Sequence, residues 1–173
     1  MRKTGIVLLA FALVSCGKSP GDAAPGSAAA PTEAPAAAAR DTCSLVADAS
    51  ATLGQTVTAG TNTMPNGTKV CEWKSGEGRI CGSVTVFGPG FNDATDIQRN
   101  YLGMVTSLGA FGETKDVAGL GDAAKGVDAK MFGAQIAFRK GEHAALAASA
   151  CSSGADGAPV LAEKLAREVA AKL

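Results

Sequence analysis

The residue in the most specific chemical setting is Cys16. It follows Leu13-Val14-Ser15 at the end of an apolar run from Gly5 to Val14, and that run is preceded by Arg2 and Lys3. A basic start, an apolar core too short to cross a bilayer and a small residue before the cysteine together read as an export signal ending at Ser15. The Cys16 thiol is then the nucleophile that takes a diacylglycerol, and the spacing is that of a bacterial lipobox. An ordinary secretory signal has no use for a cysteine just after its cut. The expectation is a signal peptide over 1–15 and attachment to a membrane through lipid on Cys16.

Four further cysteines, Cys43, Cys71, Cys81 and Cys151, remain for other chemistry. An even number in a small exported domain reads as two disulfides, with three possible pairings. A zinc site needs pairs two to four residues apart, which these spacings do not supply.

Three other groupings carry weaker signals. Gly119-Leu120-Gly121-Asp122-Ala123-Ala124 matches the Gly-x-Gly-x-x-Ala form of a dinucleotide-binding turn. That mechanism needs a helix directly after the turn, and Gly126 interrupts one, so glycines placed for positive φ explain the motif better. His143 is the only histidine; catalysis would require Glu142 or Ser152 to converge on it, and no recognisable arrangement does so. Asn92, Asp93 and Asp96 have too few alternating oxygens for calcium and read as a helix cap. The expectation is a chain that is not an enzyme and uses no cofactor or metal.

The elements that position these residues follow from periodicity. Residues 17–40 hold ten alanines and four prolines, Pro20, Pro25, Pro31 and Pro35, without apolar spacing. They form a tether, about 27 Å long as a flexible coil and about 74 Å as polyproline II. With Cys16 the tether covers 16–40, and the folding unit is 41–173. A short helix is expected from Asp41 or Thr42 to a stop at Gly54, then a strand over Gln55 to Ala59 and a turn at Met64-Pro65-Asn66-Gly67. Lys69 to Lys74 and Arg79 to Phe87 read as a hairpin. A two-residue turn at Gly76-Glu77 sets Trp73 opposite Ile80 and puts Cys71, Trp73, Ile80, Val84 and Val86 on the core face, with Cys81 on the other. That parity argues against a Cys71 to Cys81 bond.

Asp93 is expected to cap an amphipathic helix bearing Ile97, Tyr101, Met104 and Leu108 and stopped by Gly109. Gly112 to Gly126 reads as a glycine-rich loop with a short strand near Lys115 to Val117. A second hairpin, Met131 to Phe138 and His143 to Cys151, has an alanine-rich return that also fits a helix. A final helix, capped by Ser153 or Asp156 with Pro159 in its first turn, carries Leu161, Leu165, Val169 and Leu173. The sum is an α+β fold, a mainly antiparallel sheet with helices packed on one side.

The order Cys43-Ser44-Leu45, Cys71-Glu72-Trp73, Gly119-Leu120-Gly121-Asp122-Ala123-Ala124 and the closing Leu165 to Leu173 helix resembles small envelope lipoproteins, numerous in actinobacteria, that carry a domain of unknown function. Val46 stands where that pattern has a second leucine, and Cys81 and Cys151 are additions to it. The resemblance implies an envelope-anchored α+β domain with no established catalytic residues, and it implies pairing of Cys43 with Cys71. Cys81 and Cys151 are then expected to form the second disulfide.

The charges exclude some partners. The chain has 16 basic and 16 acidic residues, and these are scattered singly, so no basic face for nucleic acid can be assembled. The functional expectation is a non-catalytic binding or accessory module at the outer membrane or the outer face of the cytoplasmic membrane. It would take an apolar envelope molecule or a partner protein. A pocket lined by Trp73, Tyr101 and Met104, with the loop at Gly119, Gly121 and Asp122, is the candidate site, with recognition through the loops and helix edge from Phe91 to Tyr101 and from Gly119 to Ala124; the Tyr101 and Met104 stripe reads first as plain core. A structural surface lipoprotein is the alternative, and a hydrolase the remaining reading. Cys16→Ser should leave an uncleaved precursor that takes up no labelled fatty acid, read by metabolic labelling and gel shift; unchanged labelling would remove the anchor.

Overall fold

The computed structural model describes residues 39–152 and 157–173, which belong to one compact unit, Ala36–Leu173. The signal peptide, Cys16 and nearly all of the tether lie outside the described residues, as do Ser153 and Asp156. The domain is a seven-stranded sheet of β1 (Val57–Thr63), β2 (Lys69–Ser75), β3 (Ile80–Phe87), β4 (Lys115–Asp116), β5 (Ala123–Asp128), β6 (Ala134–Lys140) and β7 (His143–Ser149). Its spatial order is β1-β2-β3-β7-β6-β5-β4, with every neighbouring pair antiparallel. Two meanders, β1 to β3 and β4 to β7, are thus joined edge to edge where β3 meets β7. The helices are α1 (Ala49–Leu53), α2 (Ile97–Gly109) and α3 (Ala158–Lys172).

The fold is α+β with an antiparallel sheet and two disulfides, as expected, but the helices do not share one side. Side chains alternate along a strand, and β6 divides accordingly. Ile136 and Phe138 join the core under α3 with Leu161, Leu165 and Val169, whereas Ala137 packs with Tyr101 and Leu108 of α2. The sheet therefore carries α3 on one face and α2 on the other. The amphipathic stripe of α2 was legible, but not the face it would cover, because β6 and β7 are apolar on both faces.

The opening helix is broken in two. A 3-10 turn, Thr42–Leu45, is capped by the Asp41 carboxylate, and Val46 then leaves helical geometry at φ −109°, ψ 112°. Asp48 restarts the chain as α1 by accepting the Ala51 N–H at 2.9 Å, and Gly54 ends it at φ 66° as expected. A second capping carboxylate inside an apolar stripe is the physical reason for the interruption. β1 also runs four residues further than expected, because it pairs in register with the whole of β2.

The hairpin between β2 and β3 departs from the two-residue turn. Ser75 N–H bonds Arg79 O at 2.9 Å and Gly78 N–H bonds Ser75 O at 2.8 Å, so Gly76, Glu77 and Gly78 form a three-residue loop with Gly78 at φ 78°. Trp73 then faces Gly82, Lys74 faces Ile80, and the register shifts between them, leaving Cys81 as the extra residue of a bulge. Ile80 is 43% exposed while Cys81 is buried in the same cluster as Cys71 and Trp73. The expected faces of Ile80 and Cys81 are thus exchanged, while Cys71, Trp73, Val84 and Val86 hold the core face.

Further along, Asp96 rather than Asp93 caps α2, accepting the Arg99 N–H at 2.9 Å. Gly109 is its last helical residue and Ala110 follows in right-handed geometry. The segment after Gly121 is not loop but the strand β5, paired along its length with β6. β6 starts at Ala134, since Lys130–Phe132 form a 3-10 turn. The alanine-rich return is a strand, β7. α3 begins after Gly157 without a side-chain cap, with Pro159 in its first turn.

Cys43 is bonded to Cys71 and Cys81 to Cys151, with Cα separations of 5.1 and 4.8 Å. The first ties the opening 3-10 turn to β2; the second ties the β3 bulge to the chain leaving β7. The closed spans are 28 and 70 residues, for which loop-closure entropy gives about 3.6 and about 4.4 kcal/mol. Urea denaturation of Cys43→Ala/Cys71→Ala and Cys81→Ala/Cys151→Ala should show losses of that size, larger for the second pair; a negligible loss in either would mean that bond is mechanically redundant.

Candidate functional site

The residues expected to share a pocket are divided by the sheet. Trp73 is 2% exposed in the core under α3. Tyr101 is buried under α2 on the opposite face with Met104 beside it. Burial raises the Tyr101 pKa above the usual phenol range, with charges of Lys125, Asp116 and Arg139 acting in smaller and mixed senses. Among the described residues the sheet separates Trp73 from the other two; Trp73 and Tyr101 are core residues, and Met104 is partly buried against the α2-side core.

The Gly119 to Ala124 motif is also structural. Leu120 is buried in the α3-side core. A Cβ at Gly121, where φ is 68°, would stand 2.3 Å from Arg139 O, so only glycine lets the loop lie against the end of β6. Asp122 N–H bonds Arg139 O at 2.7 Å, and its carboxylate accepts the Gly141 N–H at 2.9 Å. The motif thereby braces the β6–β7 turn. Arg167 reaches Ala118 O and Gly119 O at 3.3 Å each while paired with Glu163, and Lys140 donates to Ala170 O. A cleft of about 330 Å³ lies beside this loop, but both cations that line it are engaged. A strand on the far side of the motif, rather than a helix, also removes the dinucleotide reading.

His143 stands at the start of β7, its Nε2 3.2 Å from Pro89 O and its ring edge-on to Phe91 at 5.7 Å. The Arg40 guanidinium stacks over the Phe91 ring at 4.8 Å, and the Arg40 backbone N–H donates to Gly90 O. This group holds the point where the chain enters the domain. Ser152 follows Cys151, whose partner Cys81 lies at the opposite end of the sheet, about 20 Å along β7. His143 and Ser152 therefore do not meet. Asn92 is no metal ligand either: its side chain accepts Lys69 N–H at 2.7 Å and donates to Lys69 O and Val86 O at 2.9 and 2.7 Å. It bridges β2 to the end of β3. Among the described residues no group of three or more His, Cys, Asp or Glu side chains could hold a metal ion, and no helix is long and apolar enough to cross a membrane.

A different set of residues forms the larger opening. Phe111, just past α2, and Phe132, in the 3-10 turn before β6, meet edge to face with ring centroids 5.9 Å apart. They are 43% and 64% exposed. Beside them a cleft of about 620 Å³ is lined by Phe111, Gly112, Gly126 and Ala129 together with the charged residues Glu113, Lys115, Asp128 and Lys130. That volume is in the range of small-ligand sites; Phe111 is the aromatic member of the lining, half of which is charged, and Phe132 extends the apolar surface beside it. The cleft lies at the Ala134 end of the sheet, away from Arg40. Sequence reading passed over both phenylalanines, although each is followed by glycine at an element boundary, Phe111-Gly112 and Phe132-Gly133, where a bulky side chain is freed from the core.

With this geometry in place, comparison with known proteins adds no identity: the chain matches no protein-family model and no curated protein.

The face of β1 and β2 opposite α3 carries one buried carboxylate, Glu72. Asn62 donates to it at 3.0 Å and Lys74 pairs with it at 3.1 Å. The Asn62 hydrogen bond holds its pKa below the ordinary range, opposed by burial and helped by Lys74. A carboxylate with a depressed folded pKa gives stability that is fully present above the unfolded value and is lost as pH falls through the folded one. Carboxyl-carbon NMR should place the Glu72 midpoint below about 4.3, the ordinary glutamate value, and Asn62→Ala should raise it; an unmoved midpoint would exclude Asn62 as the cause.

Proposed function

We propose that this chain is a lipid-anchored protein of the bacterial envelope, held at the outer membrane or the outer face of the cytoplasmic membrane through Cys16, and that its folded domain is a non-catalytic binding or accessory module. The observation that carries the binding role is the exposed Phe111–Phe132 pair beside the cleft at the Ala134 end of the sheet. Two aromatic rings left in solvent cost burial that the core could have supplied, of the order of 1.5–3 kcal/mol for each fully buried side chain. Paired rings beside a cleft are a surface that regains that term on meeting an apolar molecule or an apolar segment of a partner. The charges that line the cleft, two of each sign, orient a ligand without selecting a strongly charged one.

This reading moves recognition from the Gly119 loop, which is fastened, to the Phe111–Gly112 and Lys130–Gly133 segments. It needs no reactive group, and it is in keeping with the lipoprotein resemblance of the sequence. Native mass spectrometry of the full chain, purified from its own envelope extract, should find a retained apolar molecule or protein. Phe111→Ser/Phe132→Ser should lose it by tenfold or more with the melting temperature little changed, and His143→Ala should retain it. Equal retention by the double variant would displace the site, and an empty wild-type chain would favour a coating role.

A further inference from the structure

The two edges of the sheet are built differently. β4 is two residues long and both are charged, Lys115 and Asp116, which are ordinary guards against pairing with another chain. β1 has none of these. Its sequence, Val57-Thr58-Ala59-Gly60-Thr61-Asn62-Thr63, contains no charge and no proline, and it pairs with β2 through seven consecutive positions without a bulge. Six of its seven residues are exposed, and among the described residues no strand lies on its outer side, where Ser50 Oγ accepts the Val57 N–H at 3.2 Å. From Thr58 to Thr63, at 3.3 Å per residue, it presents about 20 Å of open ladder.

We infer that β1 is a self-association edge, on which a second copy of this chain adds its own β1 in antiparallel register. The register that carries this centres Gly60 on its own counterpart, which a two-fold axis requires. It sets Ala59 against Thr61, Thr58 against Asn62 and Val57 against Thr63 of the second copy. Each pair joins small, β-branched or amide side chains, and none brings like charges together. Threonine and valine pairs of this kind favour sheet pairing. One strand pair buries less than the roughly 800 Å² per partner of a lasting complex, so the dimer is weak and reversible. The pairing joins two sheets into one of fourteen strands and leaves the Phe111–Phe132 cleft of each copy at a distance, so it stands apart from the binding role proposed above.

Charge exchange at the paired positions tests it. Sedimentation of the full-length chain in detergent should show a concentration-dependent monomer–dimer equilibrium. Ala59→Lys/Thr61→Lys and Ala59→Glu/Thr61→Glu should each weaken the dimer by about tenfold, since two like-charge pairs face each other across the axis. Mixing the two variants should restore dimerisation to within about threefold of wild type. Fluorescence of Trp73, the single tryptophan and a buried residue of β2, reports whether each variant is folded. If either variant misfolds, a photo-crosslinker at Thr58 of the otherwise wild-type chain gives the answer, with a bond to β1 of a second copy expected. A monomer at all concentrations, a dimer indifferent to the charges, no rescue on mixing, or a crosslink only to another protein would each overturn the assignment.

Discussion

The structure depends on the sheet being thin where both helices press on it. Ala137 and Ala144 face α2, Ala145 and Ala147 face α3, and all four are fully buried. α3 answers with Ala162, Ala166 and Ala170 along its inner side. Alanines contribute little burial energy each, so their value is geometric: they let α2 and α3 approach the central strands from both sides. The bulk of the apolar term then comes from larger neighbours, Phe138, Trp73, Leu161, Leu165 and Val169, which fill the margins of this contact. In such packing an added methylene has nowhere to go, and overpacking of this kind costs about 1–3 kcal/mol. The strand nature of β7 follows from the same constraint, since its weak intrinsic preference is overridden by pairing with β3 and β6 along its full length.

The disulfides act at the margins of that contact. Cys71 and Cys81 lie on adjacent strands, yet they bond outward to Cys43 and Cys151 and not to each other. The bulge at Cys81 makes this possible by turning its sulfur into the core that parity alone would have denied it. The second bond fixes the end of β7 before the chain returns as α3. Gly133 enforces the same closure from the neighbouring strand, because a Cβ there would stand 2.0 Å from Ser149 O.

Much of this was legible in the sequence. The closing helix and the stripe of α2 rest on strong local periodicity, the two disulfides on an even count of cysteines, and the Cys43–Cys71 pairing on the family resemblance, while the second hairpin was legible in its turn and first strand but not in its alanine-rich return, which also fitted a helix. Where the reading failed, a tertiary choice had overridden a local one. Asp48 and Asp96 took capping roles that Thr42 and Asp93 could equally have filled. Gly78 made the hairpin loop three residues long and so reversed the faces of Ile80 and Cys81. β5 was hidden because Ala123-Ala124-Lys125-Gly126 has almost no strand preference of its own and is held by β6. For the candidate site the difference is larger. Tyr101, Met104 and Trp73 are chosen by size and spacing, which mark core residues as readily as pocket residues, and nothing local tells that the sheet runs between them. Phe111 and Phe132 gave no periodic signal because they lie outside the elements.

The residues that carry the family resemblance have a common character. Cys43 and Cys71 form a disulfide, Trp73 is buried beside it, and Glu72 is braced by Asn62 and Lys74. Leu120 enters the core, Gly121 leaves room for the β6 backbone, and Asp122 holds the β6–β7 turn. Each position is explained by folding, with no side chain left over to perform a reaction. A resemblance resting on such positions speaks to architecture, since they would be required of any chain that folds this way, whatever it binds. The segments whose residues the fold leaves free to vary lie where the motif does not reach. The Phe111–Gly112 and Lys130–Phe132 turns and the open edge of β1 are such segments, and the aromatic pair and the unguarded strand are features that folding alone does not account for.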